Sequence, residues 1–170
     1  MSGRQIMASR TYMEMRDPRQ LRPAAPPKEP FTIERATMAP AAWRDLYVRV
    51  GRDYHWVDRL PWSEAEIAAY LSDVAVSVFV LRVGGTIAGY FELRQDGQEG
   101  VEIAYFGLLR EFQGRGFGGH LLRHAVERAW ELKPTRVWLH TSTLDHPAAL
   151  SNYLNRGFTI VKREGYLVNV

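Results

Sequence analysis

Four glycines fall within seven residues at Gln113-Gly114-Arg115-Gly116-Phe117-Gly118-Gly119. An alternating apolar run precedes them and a helical apolar stripe follows, so the turn joins a strand to a helix. Such a turn suits an anion. The first N–H groups of a helix have no acceptor within it, and the helix dipole adds partial positive charge there. Glycine removes the Cβ atoms that would hold a phosphate off those groups, and Gln113 and Arg115 flank the turn as further donors. Close helix–sheet packing is the simpler alternative, but packing needs one glycine here rather than four. A nucleotide P-loop requires Lys and then Ser or Thr after its last glycine, and Gly119 is followed by His120 and Leu121. Gly114, Gly116 and Gly119 spell a dinucleotide fingerprint. That site also calls for a parallel opening unit and an acidic residue ending the next strand, where Leu139 and His140 stand.

Other side chains able to do chemistry surround this turn in the sequence. Alternation along residues 101–109 places Glu102, Ala104, Phe106 and Leu108 on one face, and apolar neighbours would raise a carboxyl pKa there. A salt-bridged sheet carboxylate is the competing reading. Glu92, on the preceding strand, is the reserve. The stretch from Gly51 to Trp62 carries Tyr54, Trp56, Asp58 and Trp62, an aromatic and acidic set suited to a cationic amine or to a lid packed on the core. In the polar run from Thr141 to Pro147, His146 is either a proton carrier or substrate contact, or a solvent histidine beside a capping Asp145. His120 and His124 have the i,i+4 spacing of metal ligands. No third ligand accompanies them, so no metal is expected.

The elements that must position these groups follow from periodicity. Residues 31–35 read as a strand, and a helix runs from Pro40 through Trp43, Leu46, Tyr47 and Val50 to Gly51. Ser63 and Glu66 form a capping box that opens a second helix. Residues 74–83 and 86–94 alternate around Gly84-Gly85 as a hairpin. Asp96 to Gly100 then turns the chain into the strand 101–109. After the glycine turn, Leu121, Leu122, Ala125, Val126 and Ala129 form a helical stripe stopped by Pro134. The strand 136–141 follows a helix and so lies parallel to strand 101–109. A short helix from about Pro147 to Asn155 ends at Gly157, and a last strand from Phe158 to about Leu167 closes the sheet. Residues 1–30 stand apart as a proline-rich extension, with five of the nine prolines and an edge strand expected near residues 11–15; the folded domain is expected over residues 31–170.

Composition narrows the function classes. The chain has 170 residues and no cysteine, so thiolate catalysis, disulfides and cysteine-bound zinc are excluded. A net charge of +3, from 22 basic and 19 acidic residues spread along the chain, describes a solvated surface better than a nucleic-acid footprint. No run approaches a membrane span, and the start from Met1 to Arg10 lacks the apolar core of a secretory leader, so no nucleic acid, no membrane and a cytoplasmic location are expected.

Gln113-Gly114-Arg115-Gly116-Phe117-Gly118 resembles the Q/R-x-x-G-x-G/A signature of the GNAT acetyltransferase superfamily, and Tyr153-Leu154-Asn155-Arg156-Gly157-Phe158 is similar to its Y-x-x-x-G-F segment. The resemblance runs from about Phe31 to the C-terminus. It implies an α/β (α+β) fold of three αβα layers, with antiparallel N-terminal strands and a splayed parallel pair in a mixed sheet. It implies an acetyl-CoA-dependent N-acetyltransferase. The backbone of Phe106, Gly107 and Leu108 would then pair with the pantetheine arm, and the turn from Gln113 to Gly119 would hold the diphosphate. Glu102 stands where the histone acetyltransferase branch keeps its glutamate base. Tyr153 stands where many relatives place the tyrosine that protonates the coenzyme thiolate. His146 departs from the asparagine usual at its position. Tyr54, Trp56, Trp62, Glu92 and His146 are the expected acceptor contacts, the acceptor being a small-molecule or peptide amine and the protein a monomer or homodimer. An acyl-CoA-binding module without turnover is the alternative function.

Overall fold

The computed structural model describes residues 3–97 and 100–170. The first two residues of the start and residues 98 and 99 of the expected turn between Asp96 and Gly100 lie outside that description. Strands β1 (Gln5–Met15), β2 (Thr32–Arg35), β3 (Val76–Val83), β4 (Thr86–Gln95), β5 (Val101–Leu108), β6 (Val137–Ser142) and β7 (Thr159–Asn169) accompany helices α1 (Pro40–Gly51), α2 (Glu64–Ser72), α3 (Phe117–Glu131) and α4 (Ala149–Asn155). The strands form one sheet in the order β2-β3-β4-β5-β6-β1-β7.

Local chemistry sets most of these bounds. Pro40 starts α1 with a preset φ, and Trp43, Leu46, Tyr47 and Val50 recur on its buried face. The Ser63 hydroxyl accepts from the Glu66 N–H at 3.1 Å, while the Glu66 carboxylate accepts from the Ser63 N–H at 3.0 Å, which fixes the start of α2. Strands β2 to β5 are successively antiparallel, and β6 then runs parallel to β5. Side chains alternate at Gly107 and Leu108. A Cβ at Gly107 would meet Val50 of α1, whereas a Cβ at Gly118 of α3 would meet Leu108, so α1 and α3 cover opposite faces of the sheet.

Two features differ from the sequence reading. The expected edge strand near residues 11–15 is an 11-residue strand inside the sheet, antiparallel to β6 on one side and to β7 on the other. Thr11, Met13 and Met15 turn into the core opposite Thr141, Leu139 and Val137. Both partners lie more than a hundred residues away in the chain, so only the alternation of β1 was visible locally. The second difference is a bulge. Glu92 pairs with Tyr105 but Leu93 pairs with Ile103, leaving Ala104 as the extra residue in β5. One extra residue inverts the alternation. Glu102 therefore shares a face with Tyr105 and Gly107, on the α1 side, and not with Phe106 and Leu108 as uninterrupted alternation implied.

Candidate active site

The β5–β6 ladder has only two residue pairs, Val101 with Val137 and Glu102 with Trp138. From Ile103 to Leu108, β5 has no β6 partner, so the two strands diverge and leave a row of backbone groups facing a gap. A cleft of about 980 Å3 follows that gap from the glycine turn to the residues around Glu102 and His140, a size ordinary for a site holding a large ligand.

At one end lies the turn. Gly114 and Gly116 have φ of +73° and +85°, the left-handed region where a side chain would be strained. Gly116 caps α3, and no side chain accepts from the first turn of the helix. Those N–H groups have neither an intrahelical acceptor nor a capping side chain. Gln113, Gly114, Gly118 and Gly119 line the cleft, together with Phe106, Gly107 and Leu108. Arg115, Gly116 and Phe117 do not. The Arg115 side chain turns outward to Glu29, Gly116 sits against Pro27, and Phe117 is buried in the core. The Gln113 amide donates to the Tyr54 hydroxyl at 2.7 Å and to the Leu108 carbonyl at 3.4 Å, tying the α1–α2 connection to the turn.

At the middle and far end stand the candidate proton carriers. Tyr153 is buried to 7% exposure on α4, its ring 6.2 Å from those of Phe106 and Phe158. Burial, then the charge of Asp145, pushes its phenol well above the usual tyrosine range, so it stays protonated. Glu102 faces the cleft at 4% exposure and accepts from Arg94 Nη2 at 2.7 Å. His140, two residues beyond the partner of Glu102 on the same face, also lines the cleft, with Tyr12 of β1 against its ring at 5.4 Å. Burial and then Arg10 hold its imidazole below the ordinary histidine value, against the opposite pull of Glu102 and Asp145. The ring of His146 lies edge-on to Tyr54, and its Nδ1 accepts from the Ala148 N–H at 3.0 Å. Asp145 accepts from the Thr141 hydroxyl and the Ser142 N–H, holding the end of β6 rather than capping α4.

The structure removes Glu92 from the cleft wall. It is fully buried, accepts from Arg59 Nη1 at 2.7 Å, from the Tyr70 hydroxyl and from Trp43 Nε1 at 3.3 Å, and does not line the cleft. Arg59 is the residue that sequence reasoning passed over. Its guanidinium lies 4.2–5.2 Å from the ring centres of Tyr105, Tyr70, Trp62 and Trp43. Burial alone would lower its pKa, but Glu92, Tyr70 and Tyr105 together push it up. Of the aromatic set that looked suited to a bound amine, Trp62 takes part in this cage around a cation of the chain itself. Tyr54, Trp56 and Trp62 still line the cleft. An arginine inside a tryptophan- and tyrosine-rich stretch was the available signal. Arg10, another cleft residue, had none, because its strand was read as part of an extension.

His120 and His124 pack ring to ring at 5.0 Å, with Phe31 against His120 at 4.8 Å. No helix among the described residues is long and apolar enough to cross a membrane.

A mixed sheet opened at a parallel pair, with a glycine turn at the foot of the opening, is the arrangement that the sequence resemblance implied. The chain belongs to the acetyltransferase (GNAT) family, whose model matches residues 37–158. It is 32% identical over 149 residues to the N-alpha-acetyltransferase RimI of Mycobacterium tuberculosis, covering 83% of this chain and 87% of that protein. It is 29% identical over 105 residues to an uncharacterised N-acetyltransferase of Lactobacillus delbrueckii subsp. lactis, covering 57% of this chain and 60% of the relative. A GCN5-related N-acetyltransferase from Kribbella flavida superposes with a TM-score of 0.67 at 17% identity, over 98% of this chain and 60% of that one, a likeness of fold. The chain thus spans about three fifths of the length of the last two.

Proposed function

We propose that the protein moves an acetyl group from acetyl-CoA to a primary amine by direct attack, with Glu102 receiving the proton of the amine and Tyr153 supplying one to the departing sulfur. The observation that carries this reading is the continuity of the cleft. One channel joins the uncapped turn of α3, the unpaired backbone of β5, the buried phenol of Tyr153 and the carboxylate of Glu102. The residues fit the cofactor. Backbone groups of Phe106, Gly107 and Leu108 would hold the amides of the pantetheine arm as a strand edge holds a peptide. N–H groups from Gly114 to Gly119 would hold the diphosphate. Bound acetyl-CoA supplies the acetyl group as a thioester.

In the transfer, the amine nitrogen bonds to the carbonyl carbon and the carbon–sulfur bond breaks. The ammonium proton passes to the Glu102 carboxylate, directly or through one water, and the Tyr153 hydroxyl proton passes to sulfur. Both groups re-equilibrate with solvent between turnovers. Most of the rate comes from placing the amine against the thioester, because a thiolate leaves readily. The acceptor to test first is a peptide N-terminus, because a relative named for N-alpha-acetylation aligns over most of this chain. Thiol release from acetyl-CoA, measured against alanine-led peptides, lysine peptides and polyamines, tests the reading. Release with at least one of these is expected. CoA binding without release across the panel would put a binding module in its place.

A further inference from the structure

The segment between β1 and β2 takes no part in the transfer described above, yet it packs against the start of α3 beside the glycine turn. Asp17 and Gln20 form a capping box around the short 3-10 turn at Pro18–Gln20, and the Arg22 N–H donates to the Arg156 carbonyl at 2.9 Å. The chain then runs over the start of α3. A Cβ built on Gly119 would come within 2.9 Å of the Ala24 Cβ, and one built on Gly116 within 3.7 Å of Pro27. At its end, Glu29 accepts from Arg115 Nε at 2.8 Å and from Nη2 through its other oxygen. The Phe31 ring closes the strap edge-on to His120 and Phe117.

We propose that Glu29 is a built-in competitor for the phosphates of the cofactor, holding the Arg115 guanidinium until a phosphate takes it. This rests on the assignment of the turn to the CoA diphosphate. The fork that Arg115 offers to the Glu29 carboxylate is the fork a phosphate would use, and two anions cannot occupy it together. Arg115 stands outside the cleft wall while it is paired with Glu29. Its Nη1 donates to the Glu111 carbonyl at 3.2 Å, and its guanidinium rests over the rings of Phe112 and Phe117 at 5.1 and 5.6 Å. The Glu29–Arg115 pair is easily broken, with side chains 44% and 38% exposed and open to solvent. Pro23, Pro26, Pro27 and Pro30 keep the strap extended, so releasing the carboxylate need not undo its path.

Calorimetric titration of the full chain with CoA decides the matter. Glu29→Gln keeps the size of the side chain and removes its charge, and it is expected to tighten CoA binding about five-fold at low salt. The gain should shrink at about 0.5 M salt, where surface charges are screened. Arg115→Gln should weaken binding, and adding Glu29→Gln to it should bring no gain. If the parent binds CoA and Glu29→Gln binds it equally or less tightly, the competitor role is overturned while the cofactor assignment stands. No heat with the parent or with any variant overturns both.

Discussion

The buried phenol of Tyr153 predicts a distinct kinetic behaviour. The Tyr153 phenol, raised above its ordinary value of 10.0 by burial, remains a proton donor throughout the neutral and mildly alkaline range. Because the shift is upward, the protonated form persists above pH 10 rather than being lost below it. In saturating substrate, kcat should therefore show no alkaline fall attributable to Tyr153 up to about that pH. Tyr153→Phe should lower kcat by about a hundred-fold or more with little change in the KM for acetyl-CoA, read from steady-state thiol release. Glu102 accepts from Arg94 Nη2 at 2.7 Å. Its type and strand were legible in the sequence, since a glutamate in an apolar strand stands out. The face it occupies was not, because a single bulged alanine, Ala104, reverses the alternation and leaves no local mark.

At the scale of elements, the α1–α2 connection is pinned to the sheet by one buried ion pair. Arg59 and Glu92 are 6% and 0% exposed, and aromatic rings surround the guanidinium. Removing one partner leaves an uncompensated buried charge, so Arg59→Ala should destabilise the fold by about 3–5 kcal/mol, measured by denaturant unfolding. An Arg59→Met, Glu92→Leu double variant should recover most of that loss, because neither charge is then stranded. The helices themselves were readable: Pro40, the Ser63–Glu66 box and the stripe of α3 are signals contained within one turn or two. The aromatic connection was legible as either a site for an amine or a lid packed on the core, and spacing alone gave no sign of the rings gathered around Arg59.

For the molecule as a whole, the decisive element is β1. Met13 and Met15 are fully buried, and the strand separates β6 from β7, so it is a member of the sheet rather than an appendage. Met13→Ala should cost about 2–5 kcal/mol, and deleting the first 15 residues should abolish cooperative thermal unfolding followed by circular dichroism. The glycine turn, the antiparallel run of β3 to β5 and the parallel β6 were all legible because each depends on neighbours in the chain. The seat of β1 depends on residues 137–169, and the sequence carries no local trace of that pairing.

The position of β1 also constrains the order of assembly. β1 finds its two neighbours in β6 and β7, more than a hundred residues later in the chain. On the ribosome it must wait for them until residues 137–169 have been made. Contacts of such long sequence separation slow folding. The hairpin of β3 and β4 can form early, whereas the far half of the sheet, with the cleft wall it supplies, closes last.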